Sequence, residues 1–335
     1  MYVKATKRPW RSKPSKQHSQ PIPTTPGKVV SVDQLVSPTP GLIAQMTGKL
    51  TTRRYKYATV FVDQATRLGF VYLQKTATAE ETIIGKTAFE KYATDRGVRI
   101  QAYHADNGIF RAHKWVQACN EKQQALTFAG VKAHHQNGIA ERRIRELQDM
   151  ARTMLIHASK RWPQAITANL WPYALRAAND AINEVPNLQH KSKLSPANLF
   201  SNALVNPNPK HYRPFGCPVY VLDSELQEGK PYHKWRERSR VGIYLGRSPQ
   251  HNRNVALVLN RITGLVSPQF HITFDPSFQT IKQDKHDSGW QTKAGFKISK
   301  DETSQAQRES AQKRKSAPIS QREQKGSKKQ KITTK

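Results

Sequence analysis

Three carboxylates stand where secondary structure is expected to end or begin. Asp33 closes the β-branched run Val29-Val30-Ser31-Val32, and Asp106 follows another short strand in His104-Ala105-Asp106-Asn107-Gly108. Glu141 falls in the first turn of a long helical segment, just after Gln136-Asn137-Gly138, with Asn137 the expected N-cap. A sheet edge can present acids from such places to one point. Like charges brought together repel unless cations lie between them. Mg²⁺ suits the task, because it takes oxygen ligands and keeps positions open for phosphate oxygens and water; Mn²⁺ accepts the same donors. Two such ions would clamp the attacking and leaving oxygens of an in-line phosphoryl transfer. Read one at a time the residues have plainer roles, Asp106 as a turn former before Asn-Gly and Glu141 as a partner of the helix dipole. Their joint placement is what points to chemistry.

The helix that carries Glu141 adds a second feature. From Ile139 to Arg161 it contains no Gly or Pro. Ala140, Ile144, Leu147, Ala151, Leu155 and Ala158 recur at three- and four-residue steps and form a stripe for the core. Glu141, Arg145, Gln148 and Arg152 run alongside at the same spacing, so an acid, two arginines and an amide share one face. With the neighbouring Arg142 they are candidate phosphate contacts beside a metal site. The plainer alternative is a solvated face with an ordinary Glu–Arg pair.

The elements needed to hold these residues are legible. Tyr57–Val62 and Leu68–Leu73 read as an antiparallel hairpin. Thr78–Thr94 is helical, with Ile83, Ile84, Ala88 and Tyr92 as its apolar face. Arg99–His104 is a strand, His113–Lys122 a helix and Ala125–Phe128 a strand. A helix over Leu170–Asn183 follows the long one. The order β-β-β-α-β-α-β-α-α predicts an α/β fold, a mixed five-stranded sheet flanked by helices. From Pro214 the pattern turns to short strands, at Val219–Leu222, Val241–Leu245, Val255–Leu259, Leu265–Val266 and Phe270–Phe274, which predicts a small all-β module. The expected divisions are a disordered basic arm over residues 1–27, the core over 28–205, the β module over 206–280 and a disordered basic tail over 281–335. The arm has no acid before Asp33 and several prolines. The tail carries Lys313-Arg314-Lys315 and Lys328-Lys329-Gln330-Lys331, clusters that fit nuclear import or nucleic-acid contact.

The chain has 335 residues and a formal charge of +31, which calls for a polyanionic partner, nucleic acid first. Lys234, Arg236, Arg238 and Arg240 are further candidates for phosphate contact in the β module. Cys119 and Cys217 are the only cysteines. They make neither a CxxC pair nor a disulfide framework, so no zinc site built on cysteine is expected. No apolar run approaches a membrane span and no secretory signal is expected.

These residues resemble the integrase core of copia-type LTR retrotransposons, within the retroviral integrase and DDE-transposase group. The likeness is carried by His104-Ala105-Asp106-Asn107-Gly108 and by Gln136-Asn137-Gly138-Ile139-Ala140-Glu141-Arg142. Thr59-Val60-Phe61-Val62-Asp63, Ala151-Arg152-Thr153-Met154-Leu155, Leu170-Trp171-Pro172-Tyr173-Ala174 and Pro214-Phe215-Gly216-Cys217-Pro218-Val219-Tyr220 support it. It runs from about Lys28 to Phe278. It implies an RNase H-like fold, Asp33, Asp106 and Glu141 as catalytic metal ligands for Mg²⁺, and double-stranded DNA as partner. It also implies trimming of DNA 3′ ends followed by attack of each new 3′-OH on a target phosphodiester, in the nucleus and by a homo-oligomer. The pattern departs from the family in places. The 34 residues between Asp106 and Glu141 are one fewer than is usual. Asp63 competes with Asp33 for the role of first carboxylate; the Val-Ser-Val-Asp strand end favours Asp33. Before Asp33 there is one histidine, His18, and no cysteine, where the family has a His/Cys zinc module. The expectation is therefore a piece of an element, clipped or decayed. The alternative function is a non-catalytic nucleic-acid-binding remnant. An RNase H-type nuclease is a minor option, since Glu146 and Asp149 lie at other angles of the helix.

Overall fold

The computed structural model describes residues 23–44, 51–130, 137–186, 192–203, 212–231, 233–281 and 289–296. Most of the basic arm, Gln136 and the lysine/arginine clusters of the tail lie outside the described residues. Strands β1 (Val30–Gly41), β2 (Tyr55–Asp63) and β3 (Gly69–Gln74) form an antiparallel meander. Helix α1 (Ala79–Thr94) leads to β4 (Ala102–Ala105), and α2 (His113–Asn120) leads to β5 (Ala125–Phe128). β4 lies parallel to β1, and β5 parallel to β4, giving the sheet order β3-β2-β1-β4-β5. The helices α3 (Gly138–Arg161), α4 (Trp171–Glu184) and the short α5 (Pro196–Ser201) follow. The mixed five-stranded sheet flanked by helices is the α/β arrangement that the order of elements predicts.

Alternation along the strands decides which helix covers which face. Val30, Val32, Tyr103 and Ala105 pack with Phe89 of α1 and Trp115 of α2 in one apolar cluster. Phe61 stacks on Phe89 there at 5.0 Å. The opposite face is covered by α3, which meets β1 and β2. The periodicity expected for α3 holds at Ala140, Leu147, Ala151 and Ala158, all buried, while Ile144 and Leu155 are half-buried.

Two local expectations need correction. β1 does not end at Asp33 but continues to Gly41, because pairing with β2 persists as far as Val36↔Tyr57 and resumes at Gly41↔Tyr55. Pairing with β4 stops at Val32↔Ala105. The outer half of β1 thus has a free edge on that side and tolerates Pro38 and Pro40. On α1 the inward face is Thr82, Gly85, Lys86, Phe89, Glu90 and Ala93, whereas Ile84 is exposed. Polar residues turn inward there because each finds a buried partner. Thr82 donates to Thr78 O and accepts from Gln74 and Gln34, and Lys86 pairs with Glu90 at 2.8 Å.

The second sheet is antiparallel throughout, with β6 (Pro218–Leu222), β7 (Ser239–Arg247), β8 (Ala256–Asn260), β9 (Val266–Gln269) and β10 (Ile272–Phe274) in the order β10-β6-β7-β8-β9. Helix α6 (Ser224–Gln227) lies between β6 and β7. The sheet is docked on the core within one unit. Gly216 shows why the Phe-Gly-Cys stretch reads as it does. Its φ is +75°, and a Cβ would stand 2.7 Å from the Ala158 methyl of α3. Packed structure also passes the expected boundary at 280. Helix α7 (Trp290–Lys293) buries Trp290 completely, and the indole N–H donates to Ala165 O at 2.8 Å.

Candidate active site

The register of β1 and β4 places the first two carboxylates. Val32 pairs with Ala105, so the next residues on these parallel strands are Asp33 and Asp106. Adjacent strands run about 4.8 Å apart, and paired residues face the same way. Asp33 alternates with Val32, so it lies on the face that α3 covers. Both carboxylates are half-buried, and each accepts the amide N–H that follows it, from Gln34 at 2.8 Å and from Asn107 at 2.6 Å. The Asn107 side chain donates to Ala129 O at 2.7 Å and ties this turn to the end of β5.

Glu141 occupies the first turn of α3 and is half-buried. Asn137 does not cap that helix with its side chain as expected. Its amide instead donates to Val32 O at 3.0 Å, fastening the start of α3 to the residue before Asp33. A buried amide with a β-strand carbonyl in reach satisfies a core acceptor, whereas a cap would serve only exposed helix N–H groups. Sequence reasoning missed this link, because an Asn before a helix signals a cap by default. Gly138 and Gly108 flank the site, and a Cβ on either would meet nothing within 4 Å. Among the described residues no group of three His, Cys, Asp or Glu side chains converges closely enough to hold a metal ion. Asp33 and Asp106 follow directly on the last paired residues of adjacent parallel strands, and Glu141 stands on the helix that packs on β1 and β2.

Asp63 is elsewhere. It pairs with Val30, at the opposite end of β1 from the extension beyond Asp33. It is fully buried and accepts from Gly27 N, Thr66 N and Thr66 Oγ1, each at 2.8 Å. Burial pushes its carboxyl upward against those hydrogen bonds. Along α3, Arg142, Arg145, Gln148 and Arg152 are all exposed. Arg142 pairs with Glu146 at 3.0 Å and Arg152 with Asp149 at 2.7 Å. Arg143 is the exception on this helix, buried against the β2–β3 turn with its guanidinium donating to Arg67 O. In the second sheet Arg236 pairs with Glu225 at 3.4 Å and Lys234 stands by the exposed Trp235 ring, while Arg240 is half-buried. Both cysteines are buried free thiols. Burial pushes Cys119 up to about 11 and Cys217 up to about 12, so neither is a nucleophile near neutral pH.

No family model matches the chain. It is 30% identical over 232 residues to the retrovirus-related Pol polyprotein from transposon RE1 of Arabidopsis thaliana, and 28% identical over 239 residues to that from transposon RE2. Over that stretch the chain is similar to the Pol polyproteins of these two transposons. The match takes in 68% of the chain but only 14% of either polyprotein. Solved structures with a likeness include the simian T-cell lymphotropic virus intasome in complex with a PP2A regulatory subunit, at 16% identity and a TM-score of 0.40 over 78% of this chain and 84% of that one. The HTLV-2 integrase catalytic core domain in complex with magnesium, in trimeric form, has 18% identity and a TM-score of 0.37 over 52% of this chain and 97% of that one. Among the described residues no helix is long and apolar enough to cross a membrane.

Proposed function

We propose that this chain is the catalytic part of a DNA-joining enzyme, with Asp33, Asp106 and Glu141 as its acidic ligands. The observation that supports the reading is the register of β1 and β4, in which Val32 pairs with Ala105, so that Asp33 and Asp106 are the next residues on adjacent parallel segments, while Glu141 stands in the first turn of the helix that covers this side of the sheet. The donor set is carboxylate oxygen alone, which fits a hard divalent cation such as Mg²⁺ or Mn²⁺. Asp33 and Asp106 would hold the ion, with Glu141 completing the set. When bound, it supplies a Lewis acid for phosphoryl oxygens and a water of lowered pKa. The chain's own residues do the rest. Asn107 and Asn137 hold the two carboxylate-bearing segments on the sheet. Arg145, Gln148 and Arg152, exposed along α3, seat the phosphates of a duplex beside the site. The reaction that the motif resemblance suggests is trimming of a 3′ end by water, then attack of the new 3′-OH on a target phosphodiester, with the target's 3′ oxygen leaving. Two ends joined together need two copies of the chain, acting on chromosomal DNA in the nucleus.

A second reading is a DNA-binding protein that no longer joins strands, and the open arrangement of the three acids favours it. One assay separates the two. The purified chain is incubated with a blunt duplex matching an element end, in Mg²⁺ or Mn²⁺. Trimmed and joined products are expected. Asp106→Asn and Glu141→Gln should abolish both while duplex binding persists. Binding without products in the parent chain would establish the second reading.

A further inference from the structure

A cavity of about 260 Å³ opens on the second sheet, where the end of β7, the β7–β8 connection and β10 meet. Its lining combines aromatic rings with guanidinium groups. Tyr244 and Phe274 meet edge to face at 5.2 Å, and Phe270 stands beside them 58% exposed. The basic groups are Arg213, Arg247 and Arg253. Arg213 lies over the Phe274 ring at 5.2 Å. Arg247 and Arg253 both grip Glu184 of α4, at 2.5 and 3.0 Å, which fixes the two side chains in place. Asp180 approaches Arg247 at 3.8 Å, so the three arginines still outnumber the acids that touch them. The Nε of Arg253 is buried with no acceptor. A buried donor left without an acceptor is unfavourable, and an arriving acceptor relieves that cost.

Guanidinium groups recognise phosphate, and an exposed ring offers a base a stacking surface. A duplex keeps its bases stacked inside, so it can satisfy only half of this lining. We propose that the pocket binds an unpaired nucleotide of a DNA strand, its base on Phe270 and its phosphate on Arg213 and Arg253. The choice of DNA over other polyanions rests on the DNA-joining reading above. The site belongs to a different sheet from the carboxylates, and two of its arginines are braced by Glu184 of the core helix α4.

The test measures binding of a short labelled oligothymidylate and of a duplex at physiological ionic strength. The variants are Arg213→Ala and Phe270→Ala, both at exposed side chains, with circular dichroism to confirm the fold. Phe270→Ala should weaken single-strand binding about tenfold, the size expected for one lost stacked base; Arg213→Ala should weaken it about tenfold through the lost charge-assisted phosphate contact, and both should leave duplex binding nearly unchanged. Equal weakening of both ligands, or none for the single strand, would overturn the proposal. So would an abasic strand that binds as tightly as oligothymidylate, since phosphate alone would then suffice. A phosphotyrosyl peptide that displaces the strand at lower concentration would likewise overturn it in favour of a protein ligand. Asp106→Asn is expected to bind the single strand as the parent does, so failure of the joining chemistry and failure of this pocket are read separately.

Discussion

Asp33 and Asp63 are chemically identical acids on neighbouring strands, and their surroundings give them opposite uses. Asp63 is buried and holds three donors from Gly27 and Thr66. Asp63→Asn turns an amide N–H₂ toward at least one of those donors, a loss of about 1–3 kcal/mol that a melting curve will show. Asp33 is half-buried beside Asp106, and Asp33→Asn removes a like-charge neighbour. Joining should vanish in that variant with the melting temperature unchanged or raised. The reverse pattern would transfer the role to Asp63. Gly138 allows a second test. It opens α3 with space around its Cα, so nothing in the fold asks for glycine. Gly138→Ala should stabilise the chain by roughly 0.5–1 kcal/mol. If a DNA backbone approaches there, the same methyl should cut joining severalfold. A variant both more stable and fully active would show that the space is simply unused.

At the scale of elements, the sequence was most legible where one rule acted alone. The order of strands and helices followed from hydrophobic period, and α3 was visible as a long run free of Gly and Pro. Misreadings came where a polar residue faces inward. Ile83 and Tyr92 pack half-buried against the core as expected, but Ile84 is exposed, and Thr82, Lys86 and Glu90 turn inward because each finds a buried partner. Asn137 does occupy the N-cap position of α3, but its side-chain partner, Val32 O, is 105 positions away and was not visible in the sequence. Of the site itself, the carboxylates were visible in the motifs, and their adjacency came only with register. The Glu90 cluster shows what such buried groups contribute. Lys86 at 2.8 Å and Lys122 at 2.5 Å flank it, and Tyr103 and Gln124 donate to it. Burial pushes the Glu90 carboxyl up, but the hydrogen bonds from Lys122, Lys86 and Gln124 together outweigh burial and leave it lowered. A carboxyl lowered in the folded state stabilises fully above its unfolded pKa, about 4.3, and loses that contribution as pH falls below this through the folded value. Glu90→Gln strands Lys86 as a buried charge, so it should cost about 3 kcal/mol at neutral pH. The gap between variant and parent should narrow as denaturant melts are taken below about pH 4. A gap independent of pH would mean that shape rather than charge holds this corner.

For the molecule as a whole, the question is where the folded part stops. Composition placed the boundary at 280, because the residues after it are rich in Ser, Gln and Lys. A local average hides a single large side chain. Trp290 is fully buried, its indole N–H is bound to Ala165 O, and Arg54, just before β2, reaches Ala294 O. The indole therefore belongs to the seam where the second sheet meets α3, the same seam that Gly216 closes against Ala158. Loss of a buried tryptophan costs about 3–5 kcal/mol through lost contacts and the cavity left behind. Trp290→Ala should lower stability by that amount in denaturant melts, and a chain cut after 280 should fall at least as far. Because the seam joins both modules, the drop should come as a single transition reported alike by Trp fluorescence and far-ultraviolet circular dichroism. A chain cut after 280 that melts with the parent would return the boundary to the one composition suggested, and would make α7 an appendage on the seam rather than part of it.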